Sequence, residues 1–422
     1  MQTVNWPRVW GVFGLLLFAS SGAFAEDWPR FRGPNGAGLA PTSARTEWQA
    51  TDIAWQTSLP GIGHSSPVVF AGRVFVTSGD EESGSRFVNA YRLSDGHRLW
   101  ERKFAATGHR KHKLNSFASP TPAVDSERLY VAWATPEQSL ITALDHDGQQ
   151  LWQVDVGEFK SGHGFGVSPI VVDDMVVVAL EHQGDSRWLA LDSNTGEIRW
   201  QRPLKSSLHY ATPCVRTIGD RRELIFTNWE QGISGVDPRT GEVNWAADVF
   251  DKQHIESSIS SPVLSGDLVI GVCGWLGHQN EVAAVRPSAA GNGAAGDGAA
   301  GDGAELVWKL ERGAPLCVTP IVVGERLYLW TDTGIATCVD VNNGEVKWQR
   351  RVGGNYYASP IAIGDRLLNV SVDGEVVVLA AGDEYKVLWR GELDEGTHAS
   401  PAVADGYLLL RTFGKLVVIG PK

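Results

Sequence analysis

A tryptophan and a proline alternate strictly along this chain, eight times over. The tryptophans are Trp55, Trp100, Trp152, Trp200, Trp245, Trp308, Trp348 and Trp389. The prolines, each preceded by Ser or Thr, are Pro67, Pro120, Pro169, Pro213, Pro262, Pro320, Pro360 and Pro401. Four of the eight Trp-to-Pro intervals are 12 residues, and the usual period is 40 to 53. A unit that short cannot bury its own apolar face, so successive units must stack on one another. The repeat therefore overrides the three or so independent domains that 422 residues would otherwise suggest.

Each period reads as four short strands. In the seventh they are expected at 360–364, 366–372, 375–380 and 386–390. The first follows the proline, which suits the start of a strand and little else. The third and fourth form a hairpin, clearest in Ala190-Leu191-Asp192-Ser193-Asn194-Thr195-Gly196-Glu197-Ile198-Arg199-Trp200. That pattern returns before Trp245 and Trp348. Gly supplies the positive φ of the turn, and Asp can accept from local backbone amides. Asp145-His146-Asp147-Gly148 is read as the same turn, because its Gly stands too early for an EF-hand loop.

The ends fix the count. The last repeat has three strands and no Trp strand, whereas 53–59 carries Trp55 ahead of any other strand of its own repeat. Pairing 53–59 beside 415–419 closes a ring. The expected fold is all-β: an eight-bladed propeller of four-stranded antiparallel blades with no open edge.

Composition agrees. The chain is 43% apolar and 20% charged, enough to build a core. Residues 1–25 read as an export signal, with Arg8, a short apolar run and Ala23-Phe24-Ala25 before Glu26. The run is short for a bilayer span, and no other long one follows. Without Arg8 the chain keeps 36 basic against 49 acidic side chains, a poor surface for nucleic acid. Cys214, Cys273, Cys317 and Cys338 are far apart and form no C-x-x-C or haem motif. They read as small core residues, with one oxidised pair after export as the alternative. Residues 26–50 are expected to be an irregular arm, 51–420 the propeller, and 288–304 a flexible Gly/Ala insertion opposite the mouth described below.

The A-x-D-x-x-T-G-x-x-x-W signature resembles the PQQ-like β-propellers, the quinoprotein alcohol dehydrogenase-like repeat family. The resemblance spans about residues 51 to 420. The segment Asp27-Trp28-Pro29-Arg30-Phe31-Arg32-Gly33-Pro34-Asn35-Gly36 resembles the leader of secreted bacterial members. The resemblance implies one of two roles. Some members bind pyrroloquinoline quinone and Ca²⁺ and oxidise alcohols or sugars. Others are non-catalytic scaffolds, such as BamB of the outer-membrane β-barrel assembly machinery. Fold alone does not choose between them.

The chemistry-bearing residues gather on one loop class. Connections from an outer strand to the next inner strand share a face with those from second to third strand. The first set brings His64, His112, His163, His209, Tyr210, His254, Glu256, Tyr356, Tyr357 and His398. The second brings Glu181, His182, Asn228, Trp229, Glu230, Trp275, His278 and Trp330. A His-rich, aromatic mouth is expected at the central channel, and loops on a rigid scaffold are a common place for binding groups. With Trp133, the tryptophans at 229, 275 and 330 are the candidate ligand contacts; the eight repeat-marking indoles are expected to pack between blades. No G-x-S-x-G, H-E-x-x-H or metal-ligand spacing is present. No catalytic residue and no metal ligand is assigned. The primary expectation is an exported monomeric scaffold, periplasmic or secreted, that binds an envelope protein or small ligand with this face. The alternative is a PQQ- and Ca²⁺-dependent dehydrogenase.

Overall fold

The computed structural model describes residues 1, 26–253, 257–275, 279–288 and 303–422. Residues 2–25, which carry the expected export signal, and His254, Glu256, His278 and most of the 288–304 insertion lie outside the described residues. Eight four-stranded antiparallel sheets account for all the strands, each ordered from inner to outer strand along the chain. Blade 7 is typical: Ile361–Ile363, Arg366–Val370, Glu375–Ala380 and Val387–Glu392. The eighth blade takes Ala402–Ala404, Tyr407–Arg411 and Lys415–Ile419 from the C-terminus and Ile53–Ser58 from the N-terminus. Ile53 faces Ile419 and Ser58 faces Lys415, which is the closure expected from the sequence.

The hairpin signature has a packing reason. Trp200 lies across the ladder from Ala190, Trp152 from Ala143, Trp348 from Cys338 and Trp245 from Gly235. These positions are small, and in blade 4 the fit is tightest: a Cβ on Gly235 would lie 2.1 Å from Trp245 Nε1. Each indole then leans on the turn of the next blade. Trp55, Trp100, Trp152 and Trp200 donate Nε1–H to Leu93, His146, Ser193 and Pro238 carbonyls at 2.7 to 3.0 Å. Trp245 differs: it donates to Glu223 of its own blade. Trp389 has no covalent turn to meet in blade 8, and Trp48 of the arm covers it, ring centroids 4.4 Å apart. In the Asp145 turn, Asp145 Oδ1 accepts from the Asp147 and Gln149 amides, as a hairpin turn requires.

The Ser/Thr-Pro step has a role beyond starting a strand. Around the channel, the amide N–H of seven of the eight such residues, all but Ser168, donates to the hydroxyl of its counterpart one blade on. Ser66 donates to Thr121, Thr121 to Ser168, Thr212 to Ser261 and Ser261 to Thr319. Thr319 donates to Ser359, Ser359 to Ser400, and Ser400 to Ser66. The ring corrects one sequence assignment. In blade 2 the structural step is Thr121-Pro122, not Ser119-Pro120, because the following strand is Ala123–Val124.

The arm crosses the face opposite the mouth. Trp28 pairs with Val69 of blade 1, Asn35 exchanges hydrogen bonds with Val215 of blade 4, and Leu39 pairs with Ala362 of blade 7. Arg30 reaches the Pro213 carbonyl and Arg32 the Thr319 and Pro320 carbonyls, at the channel ends of blades 4 and 6. The motif's glycines fold back over these side chains. A Cβ on Gly33 would meet Trp28 at 2.5 Å, and one on Gly38 would meet Arg32 Nη2 at 2.4 Å. Cys214, Cys273 and Cys338 are buried and Cys317 is partly buried, all four unbridged.

Candidate functional site

The two loop classes share a face and are stitched together by backbone pairs, Ile62 with Gly79 and Ser257 with Gly274. The sequence-selected residues do not converge on one point. They form separate groups around the mouth.

The first group sits at the blade 3–4 junction. Glu181 is buried, and its carboxylate accepts from Trp188 Nε1 (2.8 Å), Ser206 Oγ (2.5 Å) and Asn228 Nδ2 (3.0 Å). Glu230 accepts from the Ser207 amide at 2.8 Å and contacts His209 Nε2 at 2.5 Å. His209 Nδ1 accepts from the Ser258 amide at 2.8 Å. That amide is a donor only, so Nδ1 must be bare and Nε2 must carry the proton it donates to Glu230. Burial raises the Glu230 pKa, but the hydrogen bond from His209, with the Ser207 donor, outweighs it and holds it below the usual value.

The second group sits across the ring, at blades 7, 8 and 1. His64 and His398 stand with ring centroids 4.3 Å apart, with Phe413 at 5.6 and 5.1 Å from them and Tyr357 at 4.8 Å from His398. Burial, then the neighbouring His398, Arg411 and Lys111, pushes the His64 pKa well down. Burial brings His398 down to about 4 against a raising hydrogen bond to the Leu114 backbone. Both rings are therefore neutral at physiological pH. Beneath them Arg411 is buried and donates to the Ser65 carbonyl at 2.8 Å.

Between these groups, His163 lies edge-on to His112 at 5.3 Å, and its amide donates to Ser161 Oγ, which meets the Tyr210 hydroxyl at 3.3 Å. Trp229 is half-buried under Lys252, whose Nζ stands 5.5 Å from the indole. Trp275 is also half-buried. Trp330 departs from the expectation of a mouth contact: it is 1% exposed and packs edge-on to Tyr356 at 5.1 Å. The last residue of that strand turns between blades rather than into the opening. Sequence reading missed Phe413 and Ser206. Phe413 belongs to the same second-to-third-strand loop class that singled out Trp229, so that signal was present in blade 8 as well.

A calcium-bound quinone does not fit the donor set at Glu181. Both of its oxygens face N–H or O–H donors of the chain. The Asn228 side-chain oxygen accepts the Gln231 amide at 2.7 Å, so its NH₂ is the end turned to Glu181. A hard cation needs several converging oxygens, and here oxygens meet donors instead. Among the described residues no three His, Cys, Asp or Glu side chains stand close enough to hold a metal ion.

A family profile described as "Outer membrane protein assembly factor BamB" matches residues 84–294 and 297–422. The outer membrane protein assembly factor BamB of Yersinia pestis is 22% identical over 286 residues, covering 66% of this chain and 68% of that protein. The crystal structure of BamB from Moraxella catarrhalis superposes with a TM-score of 0.60 at 14% identity, covering 87% of this chain and 98% of that one. The quinohemoprotein alcohol dehydrogenase from Comamonas testosteroni superposes with a TM-score of 0.65 at 13% identity, covering 94% and 81%. At such identities the two structures speak to the fold alone.

Proposed function

The chain belongs to the family of outer membrane protein assembly factor BamB, and from that membership we propose that it is a non-catalytic binding scaffold of the cell envelope. It is exported by residues 1–25 and works as a monomer. No helix among the described residues is long and apolar enough to cross a membrane. The mouth face is the working surface, and its occupant is an envelope protein.

The observation that supports a scaffold over a dehydrogenase is the Glu181 carboxylate. Its oxygens are consumed by Trp188, Ser206 and Asn228, so it braces two blades instead of presenting a ligand. The half-buried aromatic group of His64, Tyr357, His398 and Phe413 offers apolar contact with polar edges, as protein interfaces do.

The test uses the full exported protein. It is mixed with pyrroloquinoline quinone and Ca²⁺, desalted, and assayed for retained quinone and dye-linked alcohol oxidation. A photo-crosslinker at Tyr357 is compared in the envelope fraction with one at exposed Lys386 on the rim. The expected result is no retained quinone and one discrete protein adduct from Tyr357 only. Stoichiometric quinone with turnover overturns the scaffold reading.

A further inference from the structure

Arg86 stands in the third strand of blade 1, Arg86–Arg92, and is 1% exposed. It donates Nη1 to the Gly84 carbonyl at 2.7 Å and Nη2 to the Ala134 carbonyl at 3.0 Å. Its Nε–H is buried and has no acceptor among the described residues. No carboxylate pairs with it among them either, whereas buried Arg216 has Glu223 at 3.3 Å. Burial alone holds the Arg86 guanidinium down at about 10, still charged at neutral pH. The guanidinium also stands over the Phe117 ring, 5.3 Å from its centroid, but a buried cation held only by an aromatic face and backbone carbonyls is incompletely compensated.

The Arg86 side chain also lines an open hollow of about 100 Å³ between blades 1 and 2. That is room for a small apolar group, less than the volume of an ordinary ligand pocket. Phe104, Trp133 and Leu140 give it apolar walls, with Phe104 and Trp133 at 4.7 Å, and Gln138 and Gln153 also line it. Aromatic walls, amide groups and one unpaired cation select a ligand with an apolar body and a single negative charge. A phosphate dianion would want further cations than Arg86 supplies.

We propose that this hollow binds an apolar group bearing one carboxylate, with Arg86 as its counter-ion. Two sources share that chemistry: a free aryl or alkyl acid, and the C-terminal carboxylate of a polypeptide ending in an apolar residue. The site stands on its own geometry and does not depend on the scaffold reading.

The test titrates the full exported protein with 3-phenylpropionate, its amide, and a peptide ending in Phe as free acid and as amide, by calorimetry. Both acids, or one of them, are expected to bind at least tenfold tighter than the matching amide. Preference for the peptide acid identifies a chain terminus as the source, and preference for 3-phenylpropionate identifies a free acid. Arg86→Met is expected to abolish binding. Leu140→Glu, at a half-exposed wall position, sets a carboxylate beside Arg86 and is expected to block binding with the melting temperature kept. It covers the case in which Arg86→Met fails to fold. Equal binding of acid and amide, no binding of any probe, or undiminished binding by Leu140→Glu overturns the proposal.

Discussion

Trp200 of blade 3 lies over Gly241 in the hairpin turn of blade 4, so closely that a Cβ on Gly241 would stand 2.5 Å from its indole. The turn also needs φ +73° at that glycine. One position thus serves the hairpin and the blade-to-blade contact together. Gly241→Ala should cost about 3 kcal/mol, combining left-handed strain with overpacking. Gly324→Ala, at φ +58° with open space around it, should cost only about 1 kcal/mol. Urea unfolding of the two variants checks the difference, and equal losses would refute the packing role.

The arm should contribute stability through its buried guanidinium groups. Arg32 is fully buried and bonds the Thr319 and Pro320 carbonyls, so Arg32→Gln should lose roughly 2–4 kcal/mol. Arg45→Gln, whose side chain meets the Pro421 carbonyl near the surface, should change stability by less than about 0.5 kcal/mol. Chemical denaturation of both variants separates an arm that braces the ring from one merely laid upon it.

The Glu230–His209 contact predicts an acid-sensitive component of stability. The folded Glu230 pKa lies below its ordinary value of 4.5. Its contribution is therefore full above pH 4.5 and is lost as pH falls through the lower folded value. Wild type should lose stability over that window more steeply than Glu230→Gln. Denaturant midpoints measured from pH 6 to pH 3 give the comparison, and parallel curves would show that the contact is not coupled to folding.

His398 predicts a second window with a different cause. Its folded pKa is down at about 4 against an ordinary 6.5, so the unfolded chain takes up the proton first. Stability from the neutral ring is full above pH 6.5 and declines as pH falls toward 4. His398→Asn should flatten the curve between those values. Proton NMR should show the His398 ring titrating near 4, and a midpoint near 6.5 would contradict the packing against His64 and Phe413.

Much of the fold was legible because a propeller is a local code repeated. The Trp positions, the Asp and Gly of each turn and the unpaired strands at the two ends gave eight blades and their closure. Residues such as Ala190 and Trp200 meet across one hairpin, and short-range spacing records that. The candidate site was legible only as a face. His64, Tyr357, His398 and Phe413 come from four different loops, and their meeting depends on how blades 7, 8 and 1 are set around the axis. Trp330 shows the converse, a residue on the expected loop class whose ring turns into the core.

The sequence by itself determined the strand order, the ring size and the face on which functional groups collect, because these follow from patterns within one repeat. Tertiary structure alone decided three other things: that the Ser and Thr of the proline steps are hydrogen-bonded blade to blade around all but one junction, that Arg30 and Arg32 reach across the channel, and that Arg86 is buried with no carboxylate among the described residues. Those depend on contacts between residues 40 or more positions apart, or on the partner a buried charge lacks. No spacing in a linear chain encodes such an absence; it appears only when the blades are packed.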